Sequence, residues 1–372
     1  MNALAAVVSA AYRLYQPILF RKSAQAAHEQ LLSRLAVLDS SSAAIGMLQA
    51  LHRMSTRHAP MHIGGAVLNF PLMMAAGFVK GHGFATEAQA LLALQRGDNL
   101  IPGWRAVPAL VGQVEFGSFT RYPRIGNSGV VLWRDVHTQS LQNRVGLRNP
   151  GARAAAYFLR ERRSNLPPIY GINLAVSPGV TDAHQQQTEL VEAAHLFLEA
   201  QLHPAWLTLN LSCPNTEDDP AGRQTESLTR LLCEALIKVI QHYRRPIPLW
   251  VKVSPGLSTA QYRALMSAAA EAGVQGIIAT NTLSAPAPDQ SGSAGLSGRQ
   301  LFPHSLAAAA ALQKLRYELN APLDVIACGG ILDGAALAAF HAIGIYAAQV
   351  WSTFVFRGPL ALQMIESETY AR

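Results

Sequence analysis

The sequence predicts an α/β fold, a (β/α)8 barrel with a small N-terminal helical extension. Three observations carry this. Eight short apolar runs alternate with helix-patterned stretches, as βαβ units require. Polar residues or glycines stand at the end of each run, where a barrel keeps its site. The chain has 372 residues, and a barrel alone uses about 250, so there is room for an appendage.

In chain order, the first 60 residues hold six Lys/Arg and two Asp/Glu and read as short amphipathic helices. Ser23 is placed to cap one, with Ala27, Leu31, Leu35 and Leu38 on one face. Ser42 is placed to cap another, with Met47, Leu48, Leu51 and Met54 clustered. Two readings stay open: a helical lid packed on the main domain, or a basic, apolar-faced pair lying on a membrane surface. Residues 2–20 are apolar, but Arg13, Gln16 and Pro17 interrupt them, so no spanning helix is expected. The expected division is an extension over 1–60 and a barrel over 61–372.

The barrel strands are read as PLMMAAG (71–77), VGQVEFGS (111–118), IYGINLA (169–175), AWLTLNL (205–211), PLWVKVS (248–254), VQGIIAT (274–280), PLDVIAC (322–328) and IYAAQVW (345–351). Helix patterns such as ESLTRLLCEALIKVIQHY and TAQYRALMSAAAEAG lie between them. That succession predicts a closed (β/α)8 TIM barrel, with an open doubly wound sheet as the other reading. SAPAPDQSGSA (284–294) reads as a flexible loop.

Composition narrows the function. Half the residues are hydrophobic and 14% charged, enough for a large core. The net charge is +7, yet no run of five or six basic residues occurs, so nucleic acid is not an expected partner. Cys213, Cys233 and Cys328 stand singly, without metal-ligand spacing, and no metal site is expected. Cys233 in a helix pattern and Cys328 in a strand read as buried small residues.

The strand ends carry Gly77 and Lys80, Ser118, Asn173, then Asn210, Cys213 and Asn215, then Lys252, then Thr280, Asn281 and Thr282, then Gly329 and Gly330, then Ser352. Asparagines pair donors with acceptors and suit a planar, amide-rich ring, while two lysines bring positive charge without a carboxylate cluster. Paired glycines late in a barrel let backbone N–H groups approach a phosphate. A phosphate-tailed cofactor over a planar substrate is implied, and Schiff-base chemistry at Lys80 or Lys252 is the rival.

From about residue 10 to residue 360 the chain resembles the dihydroorotate dehydrogenases. The resemblance rests on AAGFVKGHG, EFGSFTRYPRIGN, LQNRVGLRN, GINLA, NLSCPNT, VKVSPGLS, IATNT, AGLSGR, CGGI and WSTFVFRGP, in that order. YQPILFRKSAQAAHEQLL is similar to the helical extension of the membrane-associated, quinone-reducing class. The resemblance implies FMN as cofactor, (S)-dihydroorotate as substrate, and ubiquinone or menaquinone as acceptor. It also implies peripheral attachment at the cytoplasmic face of a bacterial inner membrane, with the mitochondrial inner membrane as the other setting. It places substrate contacts at Lys80, Asn143, Asn210, Asn215, Asn281 and Thr282. FMN contacts fall at Ala76, Gly77, Lys80, Ser118, Asn173, Lys252, Thr280, Gly298, Gly330 and Ser352, the catalytic base at Cys213, and a quinone-tunnel residue at Arg134.

Several features depart from that pattern. The quinone-linked class usually carries serine as base, and cysteine is typical of the soluble class. The third strand continues NLAVSP, LQRGDNLIPGWRAVPAL lengthens the link between the first two strands, NTEDDPAGRQT lengthens the loop after Cys213, and Arg148 replaces an expected asparagine. Two other readings follow: a related flavoprotein acting on a different unsaturated small molecule in specialised metabolism, and a barrel retained as a binding or scaffold module.

Overall fold

The computed structural model describes residues 3–55, 59–211 and 225–370. Three helices, α1 (Ala3–Phe20), α2 (Ala24–Ser40) and α3 (Ser42–Ser55), come first, followed by a hairpin of β1 (Met61–Ile63) and β2 (Ala66–Leu68). Then come β3 (Leu72–Met74), α4 (Glu87–Gln95), α5 (Ala106–Val111), β4 (Val114–Phe119), β5 (Leu132–Asp135), β6 (Ser140–Asn143), α6 (Ala152–Glu161) and β7 (Tyr170–Ala175). The chain continues through α7 (Ala183–Glu199), β8 (Trp206–Asn210), α8 (Glu226–His242), β9 (Leu249–Val253), α9 (Thr259–Glu271) and β10 (Gly276–Ala279). It ends with β11 (Leu283–Pro286), β12 (Ser293–Gly298), α10 (Phe302–Glu318), β13 (Asp324–Cys328), α11 (Gly334–Ala342), β14 (Ala348–Val350), α12 (Ser352–Arg357) and α13 (Ala361–Tyr370).

Eight parallel strands close in the order β10-β13-β14-β3-β4-β7-β8-β9. Closure excludes the open doubly wound sheet, and seven of the eight expected strands fall inside their apolar runs, while β4 runs one residue past its own, to Phe119. Alternate side chains point inward, and their character changes along the strands. Trp206 and Trp250 stack at the N-terminal end, ring centroids 4.6 Å apart. Glycines make room for them: a β-carbon on Gly171 would overlap the Trp206 indole, and one on Gly276 would sit 2.6 Å from Trp250 Cδ1. The β1–β2 hairpin closes this end, with Gly64 N–H donating to Asp324 Oδ2 at 2.7 Å and Trp250 Nε1 donating to Gly64 O at 2.8 Å. At the other end the inward positions become amide, ammonium and hydroxyl: Asn210, Lys252 and Thr280.

Ser23 caps α2 as expected, accepting from Ala26 N–H. The α3 cap is Ser41, one residue before the expected Ser42, because its Oγ accepts from Ala44 N–H at 3.2 Å. Helix α1 is docked on the barrel: Tyr12 Oη donates to Val355 O at 2.7 Å, Gln16 Nε2 to Phe356 O at 2.9 Å, and Phe20 meets Phe356 edge to face.

The 284–294 stretch differs from expectation. Its ends form β11 and β12, an antiparallel hairpin within a four-stranded sheet ordered β11-β12-β6-β5. Proline at 286 is tolerated there because β11 is the sheet's edge. Weak patterning also hid β5, β6 and the β1–β2 hairpin.

Trp250→Ala would open the lower core and strand the Gly64 carbonyl. The expected loss is about 3–5 kcal/mol, read as a lower urea midpoint with a nearly unchanged slope.

Candidate active site

The C-terminal ends of the strands meet over a buried carboxylate. Glu115, fully buried on β4, accepts from Trp206 Nε1 (3.0 Å), Thr208 Oγ1 (3.1 Å), Gln349 Nε2 (2.6 Å) and Asn173 Nδ2. With its amide N held this way, Gln349 turns Oε1 to Lys252 Nζ at 3.1 Å. A neutral amide therefore bridges carboxylate and ammonium, and Lys252 is held at the floor of a cavity. Cys328 is buried as expected, but it also lines that cavity, with Sγ 3.5 Å from the same ammonium. Burial pushes the Cys328 thiol up, opposed by Lys252, so a neutral thiol is favoured.

The cavity measures about 530 Å³, within the range of small-molecule sites. Its polar end is made by strand ends and the following loops. Asn210 Nδ2 donates to Ser118 Oγ at 3.0 Å, Asn281 Nδ2 to Asn210 Oδ1 at 3.2 Å, and Asn281 Oδ1 accepts from Thr282 N–H at 2.8 Å. Ser352 Oγ donates to Ser297 Oγ at 2.9 Å, and Asn143 Nδ2 to Gly295 O at 3.3 Å. The β5–β6–β12 sheet contributes Arg134, Leu141, Asn143 and Ser297 to the same walls.

From there an apolar arm runs under the N-terminal helices, past Leu19, Ala27, His28, Leu31 and Leu35. Arg134 lies along it. Its Nη2 donates to Phe20 O (3.0 Å) and Lys22 O (2.7 Å), capping α1, and its guanidinium stacks on Phe20 at 4.0 Å. Arg134 Nε is buried with no hydrogen-bond partner among the described residues. Burial lowers the Arg134 pKa and raises Tyr12 to about 12, each partly opposed by the other.

The structure gathers most of the sequence-predicted residues here. Lys80, Asn143, Asn210, Asn281, Thr282, Ala76, Gly77, Ser118, Lys252, Thr280, Gly330, Ser352 and Arg134 all line the one cavity. Asn173 lies buried within β7, and Gly298 follows the lining residue Ser297. Cys213 and Asn215 lie outside the described residues. Two buried oxygens, Asn173 Oδ1 and Thr282 Oγ1, have no partner among the described residues. Of the two, Thr282 lines the cavity, and such an atom fits a ligand rich in hydrogen-bonding groups, as FMN and a cyclic imide both are.

Sequence reasoning passed over Glu115, Gln349 and His28. Glu115 and Gln349 sit inside apolar runs, and a polar residue in such a run is the signal that was available. His28 sits three residues before Leu31 and seven before Leu35, a polar residue on an apolar helix face. Its ring centroid lies 6.3 Å from that of Trp351. Burial, then the positive charges of Lys80 and Arg148, pull its pKa down to about 4. The imidazole is neutral at neutral pH.

The class is defined by the fold and the site: a closed α/β barrel whose cavity is cationic and amide-lined at the strand ends and opens into an apolar arm. The family profile for dihydroorotate dehydrogenase matches residues 60–372. A dihydroorotate dehydrogenase (quinone) of Methylococcus capsulatus is 30% identical over 368 residues, covering 95% of this chain and 96% of the relative. One from Cereibacter sphaeroides is 32% identical over 302 residues, covering 80% and 77%. A ligand-free dihydroorotate dehydrogenase from Eimeria tenella superposes with a TM-score of 0.69 at 21% identity, covering 89% of this chain and 94% of that one, which shows the shared fold. The chain belongs to the dihydroorotate dehydrogenase family and is an oxidoreductase of that type.

His28 generates a pH prediction. Its folded pKa is depressed from 6.5 to about 4, so its stability contribution is complete above pH 6.5 and is lost as pH falls toward 4. Wild type should lose roughly 2–3 kcal/mol over that window from this group. His28→Gln should lack that component in urea melts at the two pH limits.

Proposed function

We propose that this protein oxidises (S)-dihydroorotate to orotate with FMN and passes the electrons to a quinone. The observation that carries the proposal is the single cavity joining an amide-and-lysine site at the strand ends to an apolar arm beside Arg134. A polar reductant and an apolar acceptor thereby reach one cofactor from different sides.

The residues that would hold FMN are Ala76, Gly77, Ser118, Asn173, Lys252, Thr280, Gly298, Gly330 and Ser352, with Lys80 shared with the substrate. When bound there, FMN would supply the two-electron acceptor for the hydride from C6 and the donor to the quinone. The chain handles the proton: a Cys213 thiolate takes it from C5 of dihydroorotate. A free thiol titrates near 8.5, and neighbouring positive charge or backbone N–H groups bring the thiolate toward neutrality. Asn143, Asn210, Asn215, Asn281 and Thr282 orient the ring by matching its amide edges. The Lys80 ammonium favours a substrate carboxylate.

Acceptor access ties the N-terminal helices to the membrane. Among the described residues no single helix is long and apolar enough to cross one, and α2 and α3 form a bent pair at 102°. Leu14 and Met47 are 80% and 73% exposed, joined by Ile18, Val37 and Met54. Basic residues nearby, Arg13, Arg21, Lys22, Arg34 and Arg53, suit an anionic surface. We assign peripheral attachment through 1–60 at the cytoplasmic face of a bacterial inner membrane, with ubiquinone or menaquinone as acceptor.

Arg148 supports a second reading, a related flavoprotein acting on a different unsaturated small molecule. It is half-buried, donates from Nε to Ile125 O at 2.9 Å, and its charge reaches both His28 and His82. A more strongly anionic substrate would suit that added charge.

Cys213→Ala should keep FMN bound while slowing flavin reduction by dihydroorotate about a hundredfold or more. Reduction at the wild-type rate in stopped flow would remove Cys213 as base. Leu14→Glu combined with Met47→Glu, both on exposed positions, should abolish co-sedimentation with anionic vesicles while sparing flavin reduction. Full recovery with the vesicles would make the helices a lid only.

A further inference from the structure

Arg148, where the resemblance leads to an asparagine, sits in a rigid setting beside the site. The turn after β6 gives Asn143, Val145 and Leu147 to the cavity wall, and Arg148 follows directly. Leu147 takes φ +53°, a conformation that a leucine rarely adopts, so the turn must be held by its surroundings. Asn149 holds it. Fully buried, it donates from Nδ2 to Leu147 O at 2.7 Å and to Thr120 Oγ1 at 2.9 Å, accepts at Oδ1 from Gly151 N–H at 2.8 Å, and pairs its backbone with Arg124.

The Arg148 stem runs between two glycines: a β-carbon on Gly83 would lie 2.8 Å from Arg148 Cγ, and one on Gly126 3.0 Å from Arg148 Cβ. Gly83 follows Lys80 by three residues, so the arginine packs against the loop that carries the site lysine. Its Nε donates to Ile125 O at 2.9 Å, and its two terminal nitrogens have no hydrogen-bond partner among the described residues. Next to it, Arg124 gives its guanidinium to two carbonyls, Gly146 O and Pro178 O, at 3.4 Å each. The Arg148 charge is felt on both sides. After burial, the larger cause, it lowers the pKa of the cavity residue His28 together with Lys80, and that of His82, where Asp98 opposes it.

We propose that Arg148 is a specificity-determining residue for ligand charge: clasped against the Lys80 loop, it adds a second positive field and makes the site select a ring bearing a carboxylate over the same ring without one. The inference rests on the proposed substrate site, with Lys80 as the partner of the carboxylate. Leu147 is the wall residue at this turn, so Arg148 acts by its field rather than by contact. Two cations packed side by side repel, and an anion between them relieves that repulsion. In a half-exposed setting, one added charge of this kind is worth about threefold in affinity at low salt and fades as salt screens it.

The test titrates the FMN-loaded protein with orotate and with its neutral methyl ester, following the change each causes in the oxidised-flavin absorption, so no turnover is needed. Arg148→Asn should lower the preference for orotate over the ester about threefold at low salt, with ester binding unchanged, and the deficit should vanish at high salt. Arg148→Lys keeps the charge but loses the Ile125 bond, and it should keep the preference. An unchanged preference in Arg148→Asn, or an equal loss in both variants, would overturn the assignment. Failure of wild type to bind orotate would overturn the substrate site and this inference with it. Orotate binding without flavin reduction by dihydroorotate would overturn the proposed reaction and leave the role of Arg148 standing.

Discussion

A carboxyl group buried inside the barrel and linked to Lys252 through the Gln349 amide sets the terms for the rest of the structure. Glu115 in such a place is tolerated only if its oxygens are saturated by hydrogen bonds. Its donors come from β7, β8 and β14, and the Gln349 amide extends the network to Lys252 on β9. One group thus registers strands distant in sequence and fixes the orientation of a lysine in the cavity. Removing Glu115 would leave several donors unpaired, so the network demands that all its members be present together.

Above that network the cavity has two chemistries because two parts of the chain build it. Strand ends and their loops supply amides, hydroxyls and lysines, and the helical extension supplies mainly leucines and alanines, with Tyr12, Tyr15, His28, Gln30 and Arg34 among them. Arg134 joins them, since it belongs to the β5–β6 sheet while its guanidinium caps α1. The extension is held to the barrel by Tyr12, Gln16 and Phe20, so the apolar arm is a property of docked helices. His28, neutral at neutral pH, adds no charge to the arm.

The barrel was legible because its strands are buried on both faces and so read as continuous apolar runs. Most of the polar site was legible for a related reason: Asn210, Lys252 and Thr280 break those runs at their ends. The β5–β6 and β11–β12 strands were not, because they are half exposed, and one is an edge strand rich in serine and proline. Glu115 and Gln349 act through contacts between strands far apart in sequence, which spacing along one strand cannot reveal. The same limit hid Asp39, buried on α2, whose four hydrogen-bond donors lie about 60 or more residues further along.

The most direct measurement is anaerobic mixing of the FMN-loaded protein with dihydroorotate, then with a quinone, while following oxidised-flavin absorption. Bleaching in the first step and recovery in the second are expected. A flavin that stays oxidised under dihydroorotate would contradict it and move the search to more strongly anionic unsaturated rings near Arg148.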